Sequence, residues 1–320
     1  MKNLYEPYNV YNSGFLDVGS GHKLYYEESG NKLGIPLVYI HGGPGSKSKP
    51  EHRQIFNPKK YHVIQYDQRG CGKSKYISLL KDNNTECLVN DLEKLKKHLK
   101  ISRWMVNGFS WGSTLALAYS IKYSHSVEAM ILEGIFLARK LDFEFIYNLG
   151  ANQLFPEYYE KFRRYFEIED FSQTFAKIGQ RVNQEDFELS YQAAKSMFEY
   201  EAGISVLETA RDLDDEVITK DEKQTTINSA KISLHYNEND FFINDKYILS
   251  NIYKLKNIPA VIIQGRYDLL CPYINAWNLH LAWPEAEFIT TIAGHYSKDE
   301  ENLQNILKYT GKFSKSRRNG

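Results

Sequence analysis

The chain has 320 residues, enough for one large α/β domain or for a core domain carrying an insertion. Its 40 basic residues balance 40 acidic ones, which excludes a general charge attraction to nucleic acid or to an anionic membrane. Three cysteines (Cys71, Cys87 and Cys271) are too few, and odd in number, for a disulfide framework, and no apolar run is long enough to span a bilayer.

The N-terminal stretch MKNLYEPYNVYNSG has no apolar run of the kind a signal peptide needs, so a soluble cytoplasmic protein is expected. The first apolar run, PLVYIHGG (36–43), is expected to form a strand. It leads into HGGPG (41–45), whose glycines let backbone N–H groups approach a substrate oxygen. His41 reads as a buried residue that holds this loop. HGGPG lacks the GxGxxG spacing and enters KSKPEH rather than a clean helix, so no dinucleotide site is expected. A second strand, YHVIQYDQRG (61–70), ends beside Cys71, and no sharp strand-to-helix turn surrounds that thiol to make it a nucleophile. In ECLVNDLEKLKKHLK, Leu88, Leu92, Leu95 and Leu99 recur at helical spacing above a charged face.

The strand RWMVNGFS (103–110) carries the sequence Gly108-Phe109-Ser110-Trp111-Gly112 and passes into the helical run STLALAYSIKYS. VEAMILEGI (127–135) is the next strand. From 141 to 244 the strand signal fades into Tyr-, Phe-, Glu- and Gln-rich helical pattern, as in YQAAKSMFEYEAGISVLETA. This segment is expected to be a helical cap (141–244) between two parts of the core (1–140 and 245–320); the alternative is extra core helices without a gating role. IPAVIIQGRYD (258–268) and AEFITTIAGH (286–295) are the last strands, with the helical run NAWNLHLAW, containing a structural His280, between them. Alternating strand and helix predicts an α/β fold with a mostly parallel sheet and helices on both faces. The basic tail KFSKSRRNG is expected to be a solvated end.

Strand, Gly-x-Ser-x-Gly, then helix is the pattern of a nucleophile elbow, in which a tight turn lifts a serine hydroxyl above the sheet. Such an elbow predicts an acid after a later strand, a histidine nearer the C-terminus, and a glycine-rich loop after an early strand. Asp268 follows the strand AVIIQ, with Glu133 as the alternative acid, and His295 follows a C-terminal strand and a glycine. The expected roles are Ser110 as nucleophile, His295 as general base and Asp268 as its orienting partner. The backbones of Gly43 and Trp111 are expected to form the oxyanion hole, and the Trp111 ring to wall the pocket. There is no HExxH and no clustered Cys/His spacing, so neither metal nor cofactor is expected.

Longer stretches carry a resemblance: YNSGFLDVGSGHKLYYEESGN, HGGPG, YDQRGCGKS, SWGSTLALAY, QLFPE, IPAVIIQGRYDLLCP and AWNLHLAWPEAE. In these the chain resembles the proline iminopeptidases (prolyl aminopeptidases), serine peptidases of the α/β-hydrolase fold. The resemblance implies a cap domain, release of N-terminal proline from peptide substrates through an acyl-enzyme, and a triad of Ser110, Asp268 and His295. An aminopeptidase must also hold a cationic amine, which carboxylates do best. The family takes glutamates from its cap. One lies in a Trp-Glu-Gly motif matched by Tyr200-Glu201-Ala202. The other lies in Arg-Ile-Glu-x-His-Tyr-Phe, matched by KISLHYNEN (231–239), where His235 and Tyr236 agree but Ser233 occupies the glutamate position. Glu238 is the available substitute.

Three more departures stand out. Phe109 replaces a usual glycine and is expected to narrow the pocket or shift the oxyanion loop. Glu133 replaces a usual arginine, and Tyr296 a usual serine. The change at Ser233 leaves open a broader esterase or amidase that needs no free amine. A non-catalytic ligand receptor on the same fold is the third reading, and the complete triad weighs against it.

Overall fold

A computed structural model of the chain describes residues 4–207, 218–296 and 298–316. The stretch 208–217 of the expected cap and the end of the basic tail, 317–320, lie outside the described residues. Within them, eight strands form one sheet in the order β1-β2-β4-β3-β5-β6-β7-β8. These are β1 (Val10–Gly19), β2 (His22–Gly30), β3 (Ile35–Ile40), β4 (Tyr61–Tyr66), β5 (Trp104–Phe109), β6 (Val127–Glu133), β7 (Ala260–Gly265) and β8 (Glu287–Thr291). β1 and β2 pair antiparallel, as do β2 and β4; every pairing from β4 through β3 to β8 is parallel. The six apolar runs in the sequence correspond to β3 through β8. The hairpin β1–β2 is not among them, because the first half of β2 buries alternate residues (His22, Leu24 and Tyr26) and its second half is polar, so it contains no continuous apolar run.

β4 and β7 are buried along their whole length, because helices cover both faces. Alternate residues of each strand enter different cores. Val38, Ile40, Val106, Leu132 and Ile262 join Leu88, Leu92 and Leu115 on one face. Leu37, Tyr39, Met105, Ile131 and Ile263 join Ile306, Tyr309 and Phe313 on the other. The helix Thr85–His98 forms as its leucine spacing predicts, capped by Asn84, whose side chain accepts the Cys87 N–H. The loop after β4 is held by a buried bidentate pair, Arg69 donating to both oxygens of Asp91 at 2.6 and 2.9 Å.

Between β6 and β7 the described chain is helical, including Pro156–Phe166, Thr174–Val182, Phe187–Gly203 and Lys220–Glu238. These helices share an apolar cluster of their own, with Tyr147, Phe162, Phe166, Ile178, Met197 and Leu234, separate from the two that flank the sheet. The last of them is fastened to the core at Asn83, whose side chain accepts the Tyr236 hydroxyl at 3.1 Å and whose carbonyl bonds to the His235 ring at 3.1 Å. Among the described residues no helix is long and apolar enough to cross a membrane.

Because β3, β5, β7 and β8 run in one direction, their C-terminal ends lie along one edge of the sheet. HGGPG, Ser110, Asp268 and His295 each follow one of those ends, so the parallel topology brings distant sequence segments to one place.

Candidate active site

Ser110 sits between β5 and the helix Trp111–Lys122 with φ 57° and ψ −128°, a conformation L-residues rarely adopt. Its N–H donates to the Glu133 carbonyl at 3.0 Å, and its own carbonyl accepts from the Ser113 N–H and hydroxyl, both at 2.7 Å. The flanking glycines are required by contact. A Cβ on Gly108 would lie 2.3 Å from the Gly112 carbonyl oxygen, and one on Gly112 would lie 2.2 Å from that of Ile40. The chain can double back here only where those two positions carry no side chain.

His295 Nε2 lies 3.0 Å from Ser110 Oγ, and its Nδ1 lies 2.8 Å from Asp268 Oδ2. Asp268 is buried and well supplied with donors. Its Oδ1 accepts the N–H groups of Leu270 and Cys271, at 3.0 and 2.7 Å, and its Oδ2 also accepts from Gln264 Nε2 at 3.2 Å. These bonds fix the orientation of the carboxylate beside His295. Gln264 was missed by the sequence reading, although a polar residue inside the apolar strand AVIIQG is a usable signal. Cys271 is buried with its Sγ 3.9 Å from Ser110 Oγ, and burial pushes its thiol well up. Cys71 is also buried and its thiol likewise pushed up, so it is not the exposed reactive thiol that its loop position could suggest.

HGGPG lies beside the serine. A Cβ on Gly42 would be 3.3 Å from Ser110 Cβ, and Gly43 follows with φ +119°. His41 holds the loop as expected. Its Nε2 accepts the Gln68 N–H at 3.1 Å and its Nδ1 donates to the Gly42 carbonyl at 2.8 Å, while burial keeps the ring neutral by lowering its pKa. The Trp111 ring differs from expectation. It is fully buried against Tyr236 and Phe241, its Nε1–H donating to Gln68 at 2.9 Å, so it belongs to the core rather than to a pocket wall.

The helical insertion reaches the site at three points. The Ser205 carbonyl accepts the His295 N–H at 2.7 Å. The Ser229 hydroxyl donates to the Gly45 carbonyl at 2.6 Å. Glu201, near the end of the helix Phe187–Gly203, accepts the Tyr147 hydroxyl at 3.1 Å, and burial pushes its carboxyl up to about 7 despite that bond and the pull of His295. Tyr147 had no sequence signal, because its partner lies 54 residues away.

A family model described as alpha/beta hydrolase fold matches residues 35–302. A proline iminopeptidase from Arabidopsis thaliana is 42% identical over 93% of this chain and 78% of its own length. A probable proline iminopeptidase from Leptolyngbya boryana is 39% identical over 100% of this chain and 99% of its own. The chain belongs to the proline iminopeptidases, within the α/β-hydrolase fold. The fold is shared more widely: the esterase EaEST from Exiguobacterium antarcticum superposes with a TM-score of 0.64, covering 94% of this chain and 100% of its own, at 18% identity.

Against the proline iminopeptidase pattern, the departures fall into distinct places. Glu238 is exposed at the end of its helix beside Gly179 of a neighbouring cap helix, and no described contact joins it to Ser110, His295 or Glu201. Ser233 is half-buried on the same helix. Tyr296 is half-exposed. Phe109 packs on the His295 ring, so its first neighbour is the imidazole rather than a substrate pocket.

Glu133, the alternative acid, turns away from His295. Its side chain is buried, with Oε1 accepting from Asn107 at 2.9 Å and Oε2 without a partner among the described residues. Burial pushes its carboxyl up to about 7 from the ordinary 4.5. The folded state thus holds this proton more tightly than the unfolded state. Its contribution to stability declines as pH rises past 4.5 and levels off above about 7. Glu133→Gln is expected to stabilise the fold by about 2–3 kcal/mol at pH 8.5 and to change little at pH 4.5. Urea unfolding midpoints at the two pH values check this; equal effects at both would mean the carboxyl is not buried as an acid.

Proposed function

We propose that the chain is a serine aminopeptidase that releases N-terminal proline from peptides. Ser110 is the nucleophile, His295 the general base and acid, and Asp268 the group that fixes the imidazole tautomer and stabilises its cation. Ser110 Oγ attacks the prolyl carbonyl carbon as its proton passes to His295 Nε2. The N–H groups of Gly43 and Trp111 receive the developing oxyanion. Collapse breaks the amide bond, the departing amine takes the proton from His295, and water then hydrolyses the prolyl ester by the same route. The helical segment 141–244 acts as a cap that encloses the substrate's amino end. A cytoplasmic location fits three unpaired cysteines.

The observation that carries the aminopeptidase reading is Glu201. It is an enclosed carboxylate supported by Tyr147 and close enough to feel the charge of His295, the arrangement a cationic imino group needs beside a scissile carbonyl. A second reading, a broader esterase or amidase, is favoured by Ser233 and by the outward position of Glu238, which leave Glu201 without the family's second glutamate. Hydrolysis of a chromogenic prolyl amide beside its N-acylated twin and a simple ester separates the two. Cleavage confined to the free-amine compound is expected; equal cleavage of the blocked amide and the ester would support the broader hydrolase.

A further inference from the structure

We infer that Phe109 is a positioning residue for the general base: its ring holds the plane of the His295 imidazole and stabilises the imidazolium formed in each turnover. The inference rests on the reading of Ser110 and His295 given above. The two rings lie with centroids 4.8 Å apart and planes inclined by 32°. That is the range in which aromatic faces attract, and in which a cation gains from a neighbouring π-face.

The hydrogen bonds at Nδ1 and Nε2 tether the imidazole at two points. They do not prevent rocking about the line joining those nitrogens, and a contact on the ring face does. Phe109 is the residue placed to supply it, because it closes β5 immediately before the elbow and is only partly buried. A glycine completes the arrangement. Gly134, with φ +53°, lies against both rings, and a Cβ there would approach Phe109 Cε2 to 3.1 Å and His295 Cε1 to 3.2 Å. Any side chain at this position would press on both rings, so the glycine leaves the Phe109–His295 pair its room.

Other charged or titratable groups also act on His295 or lie close to it. Asp268 bonds to Nδ1, and Glu201 reaches it from the cap. Cys271 stands beside Ser110, and Asp299 holds the Gly294 N–H and lies near Asp268. All of these remain in a Phe109 variant, so the variant isolates the ring.

The test follows the rate at which a fluorophosphonate modifies Ser110, measured by intact mass across pH 5 to 9. The Oγ–P bond forms, fluoride leaves and the proton goes to His295, so the rate reports the base whatever the natural substrate is. Phe109→Leu keeps an apolar side chain but removes the π-face, while Phe109→Tyr keeps the face. In the leucine variant labelling should slow by about fivefold to twentyfold, and its pH midpoint should fall by about half a unit because the imidazolium has lost a stabilising contact. The tyrosine variant should stay close to the parent. On a prolyl amide the loss should fall on kcat with KM little changed. If leucine fails to fold, Phe109→Met repeats the comparison. A parental rate and midpoint in the leucine or methionine variant would overturn the inference and leave Phe109 a pocket wall, whose loss moves KM. A parent protein that is not labelled at Ser110 at all would overturn the hydrolase reading and this inference with it.

Discussion

Ser110→Ala is expected to lower kcat/KM on a prolyl amide by about five to six orders of magnitude while leaving the fold intact. The size follows from the geometry. Ser110 Oγ lies 3.0 Å from His295 Nε2, and His295 is in turn held 2.8 Å from Asp268, so the three groups work as one unit. Removing the nucleophile leaves only the oxyanion donors and substrate binding, which retain a small part of the acceleration. For the same reason the losses do not add. His295→Gln alone should cost nearly as much as Ser110→Ala, and the double variant little more than either. Stability should change by less than about 0.5 kcal/mol, since the hydroxyl's protein contacts are with His295 and a distant thiol rather than with the core. A Ser110→Ala protein that keeps even a hundredth of the activity would show that another group attacks.

Glu201→Gln should raise KM for the free prolyl amide about tenfold to a hundredfold and leave kcat within a few-fold. The estimate is the worth of a charge-assisted hydrogen bond, about 1.5–3 kcal/mol. The pH dependence gives a sharper check. Burial lifts the Glu201 carboxyl to about 7, so below that pH the group is increasingly neutral and holds a cation poorly. The parent enzyme's 1/KM should therefore fall as pH drops through about 7, and the glutamine variant should lose that limb. The N-acylated amide and the ester, which present no cation, should be indifferent to the change. If Glu201→Gln left KM for the free-amine compound unaltered, the carboxylate would be a structural partner of Tyr147 and the aminopeptidase reading would lose its main support.

Much of the core fold could be read from local pattern. Strands β3 to β8 coincide with six short runs, most nearly continuous in β4 and β7, because a strand covered on both faces does not alternate. The hairpin β1–β2 escaped notice because neither of its strands contains a continuous apolar run. The elbow was legible because steric closeness between Gly108 and Gly112 leaves a two-residue signature on either side of Ser110. The helices between β6 and β7 share an apolar cluster that their aromatic-rich pattern supplies, but their contacts at Ser205–His295 and Ser229–Gly45 involve backbone atoms that leave no mark in composition.

Phe109 and Trp111 show where the reading stops. They flank the same serine and are both large aromatics, yet the backbone turn at Ser110 sends one ring onto His295 and the other into the core against Tyr236 and Phe241. Sequence spacing could not assign those directions, since they depend on the unusual φ and ψ of the residue between them. The same holds for the two acids at strand ends. Glu133 closes β6 and Asp268 follows β7, but only Asp268 bonds to His295, while Glu133 is bonded to Asn107.

By itself the sequence determined the α/β class, the elbow, the order of the triad and the family, because each is written in residue types at short and regular spacing. Tertiary structure alone decided that Glu201 is held by Tyr147 and that Phe109 lies on the His295 ring. Those outcomes depend on the direction of side chains brought together from up to 185 residues apart, and direction is set by packing rather than by local pattern.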